Sequence, residues 1–167
     1  MAVRQVITWG DPRLKSKSQD VGDWTPELDQ MVEDMFETML AHDGSGLAAP
    51  QVGININLAV VDISGGADPG QKIVLINPII INKEGEQSGP EGCLSIPGIQ
   101  ETVKRPMKVS VKTMRQDGTW KEIEGEEFLA RALCHEIDHL DGRLFVEHLG
   151  PVKRGIVQRK YQKSQRA

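Results

Sequence analysis

The sequence predicts an α+β fold, a mainly antiparallel sheet packed around a central helix, with an amphipathic helix before it and a basic helix after it. Three observations carry this. Leu28, Met31, Val32, Met35, Phe36, Met39 and Leu40 recur at i, i+3, i+4, i+7, i+8, i+11 and i+12, which is one apolar stripe of a helix. Short β-branched runs follow, punctuated by Pro78 and by Asp117-Gly118. Two more helical segments close the chain. The order helix, strands, helix, helix excludes a repeating βαβ unit. The 167 residues are enough for one domain with a sizeable core, so a single unit over 1–167 is expected.

Each element has a local reason. The opening segment to about Trp24 mixes short apolar runs with Gly and Pro and reads as irregular. Thr25-Pro26 starts the first helix, with a hydroxyl cap and then a proline at the first helical position. Its methionines are explained by spacing as core residues. Asp43-Gly44 ends it. Strands are expected over 58–63, 73–77, 79–82 and 107–115, and Asp117-Gly118 turns the chain into a return strand over 120–123. Glu126-Glu127 place acids at the start of the second helix, where the macrodipole favours them. That helix stops near Asp141-Gly142. A third runs from about Val152 to the end.

Composition narrows the function. No apolar run approaches the roughly 18 residues that span a bilayer, and MAVRQVITWG lacks a signal-peptide layout, so no membrane association and a cytoplasmic location are expected. The net charge of −4 argues against bulk DNA binding. The charge is uneven, however. Six of the twenty basic residues fall in 152–167, where there is no acid. The first 151 residues keep fourteen basic against twenty-four acidic, a net −10. A basic C-terminal helix on an acidic body is either a solvated face or a docking surface. Cys93 and Cys134 could pair, but in a reducing compartment metal or reactive chemistry is the better reading.

ALCHEIDHL, residues 132–140, holds H-E-x-x-H. His135 and His139 lie about one helical turn apart on one face and can reach one metal ion. A catalytic centre wants a third protein ligand and an open position. Cys134 diverges by about 100° from that face and reads as a small core residue. Cys93, His42, His148 and several carboxylates remain candidates. The third histidine of metzincin-type proteases is absent, because position 145 is Phe145.

Three segments in order, GLAAPQ (46–51), EGCLS (91–95) and HEIDH (135–139), resemble the signature motifs of the peptide deformylase family. The resemblance spans nearly the whole chain. It implies Cys93, His135 and His139 as ligands of one divalent metal, Glu136 as acid/base, and the Gln51 amide with the Leu94 N–H as oxyanion donors. It implies removal of the formyl group from the N-terminal formyl-methionine of nascent polypeptides. Fe²⁺ is the implied physiological metal, with Zn²⁺, Ni²⁺ or Co²⁺ substituting. Gly44, Ser45, Gly46, Gly89, Glu91, Phe128 and Ala132 are the implied substrate contacts. The backbones of the 44–47 loop and of 89–92 are expected to take the peptide like an added strand. Gly89 and Arg131 stand where relatives often carry bulkier or apolar residues, and Gln100 near where some carry an arginine. Arg105 either braces the cysteine loop through Glu91 or lies on the surface. Asp138 either orients a histidine or faces solvent. Because formyl-methionine emerges at the ribosomal exit, the basic helix is expected to dock there on phosphate.

Two rivals differ in class. A zinc endopeptidase would need a distant third ligand and keep its metal when Cys93 is replaced by Ser. A structural metal domain would fill the fourth position with protein and give Glu136 no reason to follow a ligand.

Overall fold

The computed structural model describes residues 2–166. Helix α1, Pro26–Ala41, begins as expected: the Thr25 hydroxyl accepts the Leu28 N–H at 3.3 Å, with Pro26 beside it. Its stripe packs Met31, Val32, Met35, Phe36 and Met39 into a core shared with Leu47, Leu58, Val60 and Ile76. The segment before α1 is irregular apart from a 3₁₀ turn at Pro12–Lys15. It is tied to α1 by Asp34, whose carboxylate accepts the Ala2 N–H at 2.8 Å and the Arg4 Nε–H at 3.1 Å.

Eight strands follow: β1 Gly46–Ala48, β2 Leu58–Val61, β3 Ile73–Ile76, β4 Ile79–Glu84, β5 Gln87–Cys93, β6 Ile96–Arg105, β7 Lys108–Met114 and β8 Trp120–Glu126. They form three antiparallel sheets in the orders β1-β2-β3, β4-β7-β8 and β5-β6. Asn77 holds the bend between β3 and β4. Its φ is 49°, and its side chain accepts from Val21 N–H at 2.8 Å and donates to Val21 O at 3.0 Å. The Asp117-Gly118 turn forms, with Gly118 at φ 89° and Asp117 accepting the Thr119 N–H at 2.9 Å.

Three expectations need correction. β1, β5 and β6 are strands that the apolar pattern did not predict. β8 runs on to Glu126, which faces Lys108 in the sheet. Glu126 is therefore not part of a helix start, and Glu127 (φ 54°) is the pivot between strand and helix.

Helix α2, Phe128–Leu140, is the central element. Eleven of its thirteen residues, Ala130 through Leu140, are buried. It packs against β1, β2, β6 and β8. Cys134 sits in that core, as expected, and both cysteines are free. Helix α3, Pro151–Gln165, starts one residue before the expected Val152, and position 167 lies outside the described residues. Val157 and Tyr161 anchor α3 to the body, with Tyr161 against Trp9 at 5.4 Å between ring centroids. Among the described residues no helix is long and apolar enough to cross a membrane.

Candidate metal centre

The helix geometry of α2 and the end of β5 bring three lone-pair atoms together. His139 Nε2 lies 3.1 Å from His135 Nε2 and 3.2 Å from Cys93 Sγ. The three ligand atoms all fall within 4.8 Å of one another. Ligands about 2.0–2.3 Å from a tetrahedral ion stand roughly 3.3–3.8 Å apart, so small adjustments seat a cation among them. A register shift between Gly92 and Cys93 in β5 re-aims the cysteine toward α2. His42 lines the cleft but is not among the converging atoms, and His148 pairs with Asp138 at 2.7 Å.

The surrounding groups fix the tautomers. Glu91 Oε2 takes the His135 Nδ1–H at 2.7 Å, which leaves the Nε2 lone pair facing Cys93 and His139. Glu91 is held in turn by Arg105, with Nε at 3.0 Å and Nη2 at 2.6 Å, and by Arg131 Nη1 at 2.9 Å. Burial pushes the Glu91 carboxyl up, but His135 and Arg105 outweigh it and hold the group well below the usual range. Burial and the neighbouring His135 push the His139 imidazole well below its ordinary pKa. Burial works the same way on His135, yet Glu136, Cys93 and Glu91 around it raise its pKa well above the ordinary value.

Glu136 is 3% exposed, and burial pushes its carboxyl up to about 7. A cation between the ligands would lower it again. Its carboxylate lies on the backbone of Gly46, where any Cβ would collide with it. One of its oxygens, Oε1, has no hydrogen-bond partner among the described residues. Gln51 is oriented by both ends of its amide. Its Oε1 accepts the Ala48 N–H at 2.9 Å, and its Nε2 donates to Ser95 Oγ at 3.1 Å and points at Cys93 Sγ, 3.6 Å away. Ser95, fully buried, was not legible beforehand as the partner that turns this amide.

A cleft of about 840 Å³ opens beside these groups. It gathers Gly44, Ser45, Gly46, Gln51, Glu91, Cys93, Leu94, Phe128, Ala132, His135 and Glu136 from the sequence expectation. Gly89 stands outside its lining, on β5 next to the Arg131 guanidinium. The Glu91 carboxylate is filled by two arginines and a histidine, so only its backbone remains for a substrate. Arg105 and Asp138 are buried partners, 2.7 Å apart. Arg105 therefore braces the cysteine strand, and Asp138 orients His148 rather than a metal ligand.

Known proteins resemble this chain over most of its length. The chain is 48% identical over 167 residues to the peptide deformylase of Acidobacterium capsulatum, covering all of this chain and 98% of the relative. It is 52% identical over 147 residues to that of Caldanaerobacter subterraneus subsp. tengcongensis, covering 88% and 89%. The crystal structure of a peptide deformylase from Legionella pneumophila superposes with a TM-score of 0.92 at 44% identity, covering 99% of this chain and 96% of that one. A peptide deformylase from Ehrlichia chaffeensis in complex with actinonin superposes at 0.89 with 34% identity, both chains fully covered. The polypeptide deformylase family model matches residues 3–155, and the chain belongs to that family.

Proposed function

We propose that this hydrolase, which removes the N-formyl group from the N-terminal formyl-methionine of newly made polypeptides and releases formate, works through Cys93, His135 and His139 as the ligands of one divalent ion. The observation that carries this is the convergence of Cys93 Sγ and the two Nε2 atoms beside Gln51 and Glu136 in one cleft. Such an ion, when bound, supplies a lowered water pKa and polarises the formyl oxygen. The thiolate and two imidazoles suit Fe²⁺, which we take as the ion used in the cell, with Zn²⁺, Ni²⁺ and Co²⁺ able to replace it.

The chain's own residues then do four things. The free edges of β1 and β5 border the cleft and take the peptide backbone as an added strand, near Gly44, Ser45, Gly46 and the Gly89–Glu91 backbone. Phe128 and Ala132, on the helix face that also carries His135, receive the methionine side chain. The Gln51 amide and the Leu94 N–H aim donors at the oxygen on which negative charge develops. Glu136, buried with a free carboxylate oxygen, takes a proton from the attacking water and hands it to the leaving nitrogen.

We also infer that residues 1–167 work as one catalytic unit in the cytoplasm, and that the basic face of α3 holds the enzyme near the ribosomal exit. Formate release from a short formyl-methionyl peptide by anaerobically purified protein, with metal analysis of the same sample, tests the central reading. Turnover with about one metal per chain supports it. Metal-loaded protein that releases no formate overturns it.

A further inference from the structure

Arg131 stands one turn before His135 on α2, at i and i+4, so both side chains leave the same face. Phe128 and Ala132 lie beside that face, and all four line the cleft. Arg131 is 5% exposed. Its Nη1 donates to Glu91, but its Nη2 is buried with no hydrogen-bond partner among the described residues. A buried donor without an acceptor is unfavourable, and a ligand that brings the acceptor relieves it. The strand facing that nitrogen presents bare backbone at Gly89, where a Cβ would stand 3.4 Å from Nη2.

The proposal rests on the reading that this part of the cleft receives the first side chain. A peptide whose formyl group lies at the Cys93–His135–His139 cluster sends that side chain along α2. Four residues of helix, ~6 Å, separate the level of His135 from that of Arg131. Methionine places its sulfur near the end of that distance. We propose that Arg131 is a specificity-determining residue, whose unpartnered N–H accepts formyl peptides that begin with methionine sulfoxide as well as those that begin with methionine. A thioether sulfur is a weak acceptor, whereas the sulfoxide oxygen is polar and takes a charge-assisted hydrogen bond. A wholly apolar pocket would reject the sulfoxide, because burying it without a donor is unfavourable.

The test compares kcat/KM for three formyl peptides that differ only in the first residue: norleucine, methionine and methionine sulfoxide. Norleucine has the shape of methionine and no acceptor. The metal-loaded wild type is expected to turn over the sulfoxide peptide within ~10-fold of the norleucine peptide. Arg131→Met should lower the sulfoxide-to-norleucine ratio by ~10-fold or more, the worth of a hydrogen bond to a charged group. Arg131→Met also removes a partner of Glu91, so a second variant is needed. Gly89→Ser sets a hydroxyl beside Nη2 while the Glu91 contact stays, and it should lower the same ratio. A wild type that disfavours the sulfoxide by ~100-fold, or a ratio unchanged in both variants, overturns the proposal. Failure on all three peptides would overturn the deformylation reading itself, whereas failure on the sulfoxide alone overturns only this one.

Discussion

The Glu91 carboxylate binds His135 Nδ1 at 2.7 Å while two arginines hold its other lone pairs, so the first histidine of the candidate metal centre is aimed from a strand 44 residues away. Glu91→Gln keeps the shape and removes the charge. It should weaken metal binding by ~10–100-fold, as loss of a carboxylate behind a ligating histidine commonly does. It should also lower stability by about 3–5 kcal/mol, because Arg131 would keep only a neutral partner in the interior while Arg105 keeps Asp138 alone. Chelator competition and urea unfolding measure the two effects. Unaltered metal affinity would show that His135 is oriented by packing alone, including its stacking on Phe145.

Glu136 follows His135 yet is aimed off the candidate ligand group, with its carboxylate against Gly46. Glu136→Ala should keep about one metal per chain and lose ~10²-fold or more in kcat. Near-normal turnover at full metal content would remove it from the proton path.

Gln51 is held by Ala48 and Ser95 so that its amide N–H₂ points at Cys93 Sγ. A donor placed for charge that develops later acts on the transition state more than on bound substrate. Gln51→Leu should therefore reduce kcat by roughly 10²–10³ with a smaller change in KM. A variant affected only in KM would make Gln51 a substrate-binding group instead.

These roles differ in how far the sequence carries them. The α1 stripe and the His135–His139 spacing are local, within four or so residues, and periodicity reads them directly. The β5-β6 pair is hidden because β5 is QSGPEGC, with two glycines, a proline and no alternation. Pro97 and Gly98 likewise disguise the start of β6. Glu91 is opaque for a different reason. Its partners Arg105, Arg131 and His135 lie 14, 40 and 44 residues away, so its burial as an anion appears only once the strands pair. The orientation of Gln51 depends on Ser95, also 44 residues distant.

Asp34 gives the chain an acid-sensitive clasp. The Gln30 amide, 2.8 Å away, lowers its pKa, and the Ala2 N–H and Arg4 add to this against burial. A carboxyl with a lowered folded pKa contributes stability that is fully present above the ordinary 3.8 and is lost as pH falls through the folded value. Asp34→Asn should therefore cost about 1–3 kcal/mol at neutral pH. The gap between variant and wild type should close in acid. Urea titrations at the two pH values measure it, and a constant gap would show that the clasp does not depend on charge.

The basic helix α3 separates into an anchored face and a free one. Val157 and Tyr161 are buried, so deleting the helix would strip the core and confuse docking with unfolding. Lys153 pairs with Glu101 at 3.3 Å, and Arg154 donates to the Glu147 and Leu149 carbonyls. Arg159, Lys163 and Arg166 are exposed and turned away from that core, and they have no part in the metal cleft. If the helix meets ribosomal phosphate, these three carry much of the contact, and each phosphate contact adds to the salt dependence. Replacing all three by Gln should lower ribosome co-sedimentation at low salt by ~10-fold or more and flatten its salt dependence. Turnover of a short formyl peptide and thermal stability should stay at wild-type values, because neither the cleft nor the Val157–Tyr161 anchor is touched. Equal sedimentation of variant and wild type across the salt series would identify α3 as a solvated helix, its charges serving only to offset the acidic body.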